Sequence, residues 1–205
     1  MWRGLRATAV LGIGLLLAAG AAAQGKDWPC EQVLQPELST GAMWSGPDLP
    51  AAKDSWQHDD VVRALVERIA PRRMPLDQAE GEIHQFAAGA GKDRQKLLIE
   101  VFAGLFETIN NERGDIIRGI KHYHGRQAAL AKRIEDTTKT LDGLDPASKD
   151  QAMIQKRADI QTQLDWDSRI FDDRQRLLPA VCEQPVLLEQ RLFALARKIQ
   201  GELGQ

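Results

Sequence analysis

The stretch from Leu97 to Ser148, LLIEVFAGLFETINNERGDIIRGIKHYHGRQAALAKRIEDTTKTLDGLDPAS, contains no proline before Pro146 and repeats its apolar residues at intervals of three and four. Leu98, Phe102, Leu105 and Ile109 begin the stripe; Ile116, Ile120, Tyr123, Gln127, Leu130, Ile134 and Leu141 continue it. This spacing predicts a coiled-coil helix of about fifty residues, roughly 75 Å long at 1.5 Å per residue. One small domain cannot bury such a helix, so it needs a partner helix. LDGLDPAS then offers Gly143 as a helix end, Asp145 as an N-cap and Pro146 at a first helical position. The chain should reverse there into an antiparallel hairpin whose return arm runs from Pro146 to about Val181.

A turn centred on Leu144 and Asp145 sets Phe171 opposite Gly119 and Trp166 opposite Gly125. Large rings would then fill the gaps left by glycines that each weaken a helix by about 1 kcal/mol, with Tyr123 in the same packed seam. Arg113, Arg118, Lys121 and Arg126 would face Asp165, Asp167, Asp172 and Asp173 and fix the register. The alternative is that both charged sets are solvated helix faces.

Working outward, Ser55 is the expected N-cap of a helix with Val62, Leu65, Val66 and Ile69 on one face, ended by Pro71. A second helix follows Pro75, with Leu76, Ala79, Ile83, Phe86, Ala87 and Ala90 inward, until AGAGK breaks it. A last helix from Pro185 to about Gln200 turns Val186, Leu188, Leu192, Leu195 and Ile199 inward. The expected fold is all-α: a small helical head (55–112 and 179–205) and a long coiled-coil hairpin (113–178). Residues 24–54, punctuated by Pro29, Pro36, Pro47 and Pro50, form an extended segment lying across the helices.

The first 23 residues read as a secretory leader. Arg3 and Arg6 precede an apolar run from Ala7 to Leu17, and Ala21, Ala22 and Ala23 set cleavage after Ala23. The run is short for a membrane span, and nothing later in the chain is apolar enough for one. Export implies an oxidising compartment, the periplasm being preferred. Cys30 and Cys182 are the chain's two cysteines, and a disulfide between them is expected to clasp the extended segment to the head. Cys182 is expected in a short break between two apolar helical stretches. A metal or redox role for the pair lacks a C-x-x-C spacing.

The chain carries 27 basic and 29 acidic residues, and loss of Arg3 and Arg6 with the leader makes it more acidic, which argues against nucleic acid as a partner. Aromatic residues are 5% of the sequence, too few for a large aromatic-lined pocket. Glu80 and His84 share a helix face at i, i+4, and His58, Asp59 and Asp60 would complete a metal site if the first two helices packed side by side. His122 and His124 point apart around a helix. GAGKD lacks the first glycine of a phosphate loop, and RGD at Arg113–Asp115 falls inside a helix. No cofactor is implied. Trp28, Trp44 and Pro47 either cap the head's core or frame a groove for a peptide or small ligand.

Three functions compete on these grounds. The leading expectation is a non-catalytic periplasmic interaction protein, an adaptor or accessory subunit whose hairpin docks a protein partner. A chaperone-like client binder, a homodimer included, shares that geometry. A metal- or ligand-binding helical protein using Glu80 and His84 is the third.

Overall fold

The computed structural model describes residues 27–50 and 54–204, so the expected leader at residues 1–23 lies outside the described residues. Five α-helices follow one another: α1 (Thr40–Met43), α2 (Asp60–Ile69), α3 (Leu76–Gly89), α4 (Arg94–Asp142) and α5 (Gln151–Leu203). Two short 3-10 turns, Ser55–His58 and Gly91–Asp93, precede α2 and α4, and there is no strand among the described residues. The fold is all-α, as the periodicity predicts. Its two long helices, of 49 and 53 residues, form an antiparallel pair.

The head's core lies where α2 and α3 pack against the first half of α4 and the last third of α5. Val62, Leu65, Ile69, Ile83, Leu98, Phe102, Leu105, Ile109, Leu188, Leu192, Leu195 and Ile199 are all at most 1% exposed. Each comes from a three-four stripe, so one face of every helix is spent on the core. Trp56 completes this core through a feature the stripe does not reveal. Its ring lies on Gly104 of α4, where a Cβ would meet Trp56 and Val66 atoms at 2.8 Å. Its Nε1 donates to Glu107 Oε2 at 2.8 Å.

Several boundaries differ from expectation. Ser55 lies in the 3-10 turn, and α2 is capped instead by Asp59, whose Oδ1 accepts from the amides of Val61 and Val62. Leu76, at the start of α3, is 40% exposed. Asp145 caps only a local turn, accepting from Ala147 N at 2.8 Å; Asp150 is the N-cap of α5, accepting from Ala152 N at 2.8 Å. The reversal therefore occupies residues 143–150. Gly143 does end α4, its amide donating to Lys139 O, and Arg157 reaches back from α5 to the carbonyls of Leu141 and Leu144. Leu141 lies in the last turn of α4 and Leu144 just beyond it, so a cationic donor there suits the negative end of the helix dipole.

The return arm and the last helix are one element. α5 runs through Pro179 and Pro185, so Cys182 sits within a helix and in no break. Each interior proline removes an amide donor and costs about 3 kcal/mol in an isolated helix. Here Pro185 is itself buried, Cys182 is 5% exposed, and Leu188 beyond them enters the core. Packing on both sides of the prolines outweighs their local cost.

The disulfide joins Cys30 to Cys182 with a Cα–Cα separation of 5.6 Å, and no cysteine is free. Around it Trp28, Ile117 and Ile120 form a second, smaller apolar cluster. Residues 27–50 lie as a strap along α4 and α5. Lys121 Nζ pairs with Asp27 at 3.0 Å, Asn110 Oδ1 accepts from Leu38 N at 3.0 Å, and Arg113 Nη1 donates to Gln35 O at 2.5 Å. No helix among the described residues is long and apolar enough to cross a membrane.

Candidate functional site

Beyond the disulfide the hairpin seam turns polar. Tyr123 Oη donates to Arg174 O at 2.7 Å and Gln127 Nε2 to Phe171 O at 3.3 Å. Phe171 thus meets α4 roughly two turns nearer the tip than Gly119. Gly119 and Gly125 are exposed, with nothing within 4 Å of where a Cβ would stand, and Trp166 is 60% exposed. The expected nesting of rings on glycines does not occur, because the longer reversal moves the arms past that register.

The charge pairing changes with it. Asp167 is the one expected acid that crosses the seam, and its partner is Arg133, which grips it with Nε at 2.8 Å and Nη2 at 2.6 Å. Arg118 pairs with Asp115 on its own helix, Lys121 with Asp27 of the strap, and Asp173 with Arg176. Arg113 is 4% exposed and turns toward the strap and Glu189. Arg133 holds the Asp167 carboxyl below its usual range, helped by Gln163.

One flank of the return arm, beside the seam, carries exposed apolar residues. Trp166 and Leu177 are each 60% exposed and Ile170 39%, and at 100° per residue the three lie within roughly 40° of one another around α5. Charges surround them: the Arg169 guanidinium stands 5.8 Å from the Trp166 ring centroid. Beside Ile170, Arg126, Arg133 and Arg174 line a shallow hollow.

The expected metal ligands do not converge. Glu80 pairs with Lys198 at 2.6 Å, His84 Nδ1 lies 2.9 Å from Glu202, which Arg94 also holds, and exposed His58 stands 3.8 Å from Asp54. No three metal-ligating side chains come together among the described residues. Glu80 and His84 share α3 as predicted, but each is claimed by a different residue of α5.

The tryptophans are core caps. Trp44 is 8% exposed and stacks on Phe102 with centroids 4.1 Å apart, its Nε1 donating to Pro47 O at 2.7 Å. The turn at Ser45–Pro47 therefore folds over the Trp44 ring. Trp28, also 8% exposed, donates to Gln32 O at 2.7 Å. It does wall a groove, of about 560 Å³, between the strap, α4 and α5. Val33, Leu34, Met43, Ile117 and Phe193 give this groove apolar sides, and Arg113 and Glu189 give it charge.

No known family, curated protein or solved structure matches this chain.

The geometry thus offers an apolar stripe on the projecting hairpin and a groove in the head with one buried arginine. Neither is visible as a motif. Trp166, Ile170 and Leu177 are separated by charged residues, and Arg113 reads as one more cation on an amphipathic helix. The one available signal was mismatch: once the three-four stripe assigns the seam, Trp166 falls outside it and has no inward place.

Proposed function

We propose that this chain is a non-catalytic interaction protein of an oxidising, exported compartment, the periplasm first among them, and that its hairpin docks a protein partner. The exposed stripe of Trp166, Ile170 and Leu177 carries this reading. Single exposed apolar residues are ordinary, but three on one helix face, rimmed by arginine and aspartate, have the make-up of an interface: aromatic and aliphatic anchors inside a polar border. The disulfide supports an oxidising setting, and the leader read at residues 1–23 supports export.

Affinity capture from native periplasmic extract tests it, comparing the mature chain with a Trp166→Ala/Leu177→Ala double variant. Both positions face solvent, so the variant should keep its thermal stability within about 0.5 kcal/mol. One stoichiometric partner, lost with the two substitutions, is the expected result. Many polypeptides in small amounts, lost together, would instead favour a chaperone-like client binder. Equal capture by both proteins would overturn the hairpin as the docking element.

A further inference from the structure

We infer that the head groove binds a small amphipathic monocarboxylate, its carboxylate on Arg113 and its apolar chain along the walls formed by the strap and α5. Arg113 is 4% exposed and lines the groove. Its Nη1 is used, donating to Gln35 O. Its Nη2 stands 3.8 Å from Glu189 Oε2, beyond hydrogen-bond reach, and its buried Nε has no partner among the described residues. The edge formed by Nε and Nη2 thus carries only the long Glu189 ion pair, with Nε shielded and without a hydrogen bond. Arg133 applies this same edge to the carboxylate of Asp167, and Arg191 applies it to two carbonyls. A planar anion with two oxygens matches it in a bidentate pair, the strongest arrangement a guanidinium makes.

The walls select what the anion is attached to. Val33 is 60% and Phe193 48% exposed at the groove, with Leu34, Met43, Ile117 and Val186 beside them. These surfaces gain by covering an alkyl chain at about 25 cal/mol per Å². The volume, about 560 Å³, falls within the roughly 300–1,000 Å³ of small-molecule clefts, which favours a free monocarboxylate over a folded partner. Glu189, with a side chain 40% exposed, can turn outward as the ligand arrives.

The test titrates decanoate and decanol, both below their aggregation limits, into the full disulfide-bonded chain, following amide NMR shifts and calorimetry. Decanoate should shift the Val33, Met43 and Phe193 amides saturably and bind at least tenfold more tightly than decanol. Arg113→Gln should bring the two ligands to equal affinity. Glu189→Gln should tighten decanoate severalfold by removing the competing carboxylate, and Phe193→Ala should weaken both ligands. Absence of saturable shifts, an unchanged preference in Arg113→Gln, or weaker decanoate binding in Glu189→Gln would overturn the site. If Arg113→Gln does not fold, Glu189→Gln and Phe193→Ala decide the matter. Trp166→Ala/Leu177→Ala should bind decanoate normally, so the groove and the hairpin stand or fall separately.

Discussion

Arg191 is 7% exposed yet faces no carboxylate within ion-pair distance among the described residues; its Nε donates to Ala70 O at 2.8 Å and its Nη2 to Ile69 O at 2.6 Å. Those carbonyls end α2, so a side chain from α5 performs a capping role that the local sequence, running into Pro71, cannot. Burial, with Arg72 nearby, pushes its pKa below the usual arginine value. Arg191→Met keeps the stem but strands two buried acceptors, and should lower unfolding stability by about 2–3 kcal/mol in urea titrations. Asp167 is the acidic counterpart. Its carboxyl titrates below the ordinary 3.8, chiefly through the Arg133 hydrogen bonds. The folded state therefore favours the charged form, and that contribution is complete above pH 3.8 and disappears as pH falls through the lower folded value. Asp167→Asn should be less stable at neutral pH and show a shallower acid limb, read by circular dichroism at a fixed urea concentration. An acid limb identical to wild type would remove Asp167 from the account. Arg191 was not legible beforehand, since an arginine in an amphipathic helix reads as solvated; Asp167 was expected to cross the seam, but its partner Arg133 was not foreseen, because register decides the tertiary neighbour.

Helix length and the inward stripe were legible because a three-four period is a local property, repeated often enough in α4 to outvote single exceptions. Register was not, since it depends on how many residues the reversal consumes, and Asp145-Pro146 imitates a helix start that Asp150 provides. Helix continuity failed for a related reason. Pro179 and Pro185 are strong local stop signals, but the apolar residues on either side belong to one unbroken face of α5. Glycines make the contrast measurable. Gly119 and Gly125 are exposed within α4 with open space around them, so alanine at each should raise stability by up to about 1 kcal/mol. Gly104→Ala gains the same propensity, yet its Cβ would press within 2.8 Å of Trp56 and Val66, and overpacking costs about 1–3 kcal/mol. Thermal unfolding should therefore move up for the first two variants and down for the third. A rise in all three would mean that the Trp56 ring yields freely.

For the molecule as a whole, the Cys30–Cys182 bridge was legible from arithmetic, since a chain with two cysteines has one way to pair them. The candidate surfaces were not, because an exposed stripe and a groove are defined by what the rest of the chain leaves uncovered. The strap hangs on α4 through Asp27, Gln35 and Leu38, whereas Cys182 belongs to α5. Sliding α5 by one heptad along its partner would carry Cys182 about 10 Å away, well past the 5.6 Å Cα separation of the bonded pair. The seam nearer the tip, where Tyr123, Gln127 and the Arg133–Asp167 pair interrupt the apolar stripe, is where such slippage would otherwise be cheapest. Covalent closure therefore locks the register: the bond fits the aligned helices, and a pair displaced by a heptad would hold the two sulfurs out of bonding reach.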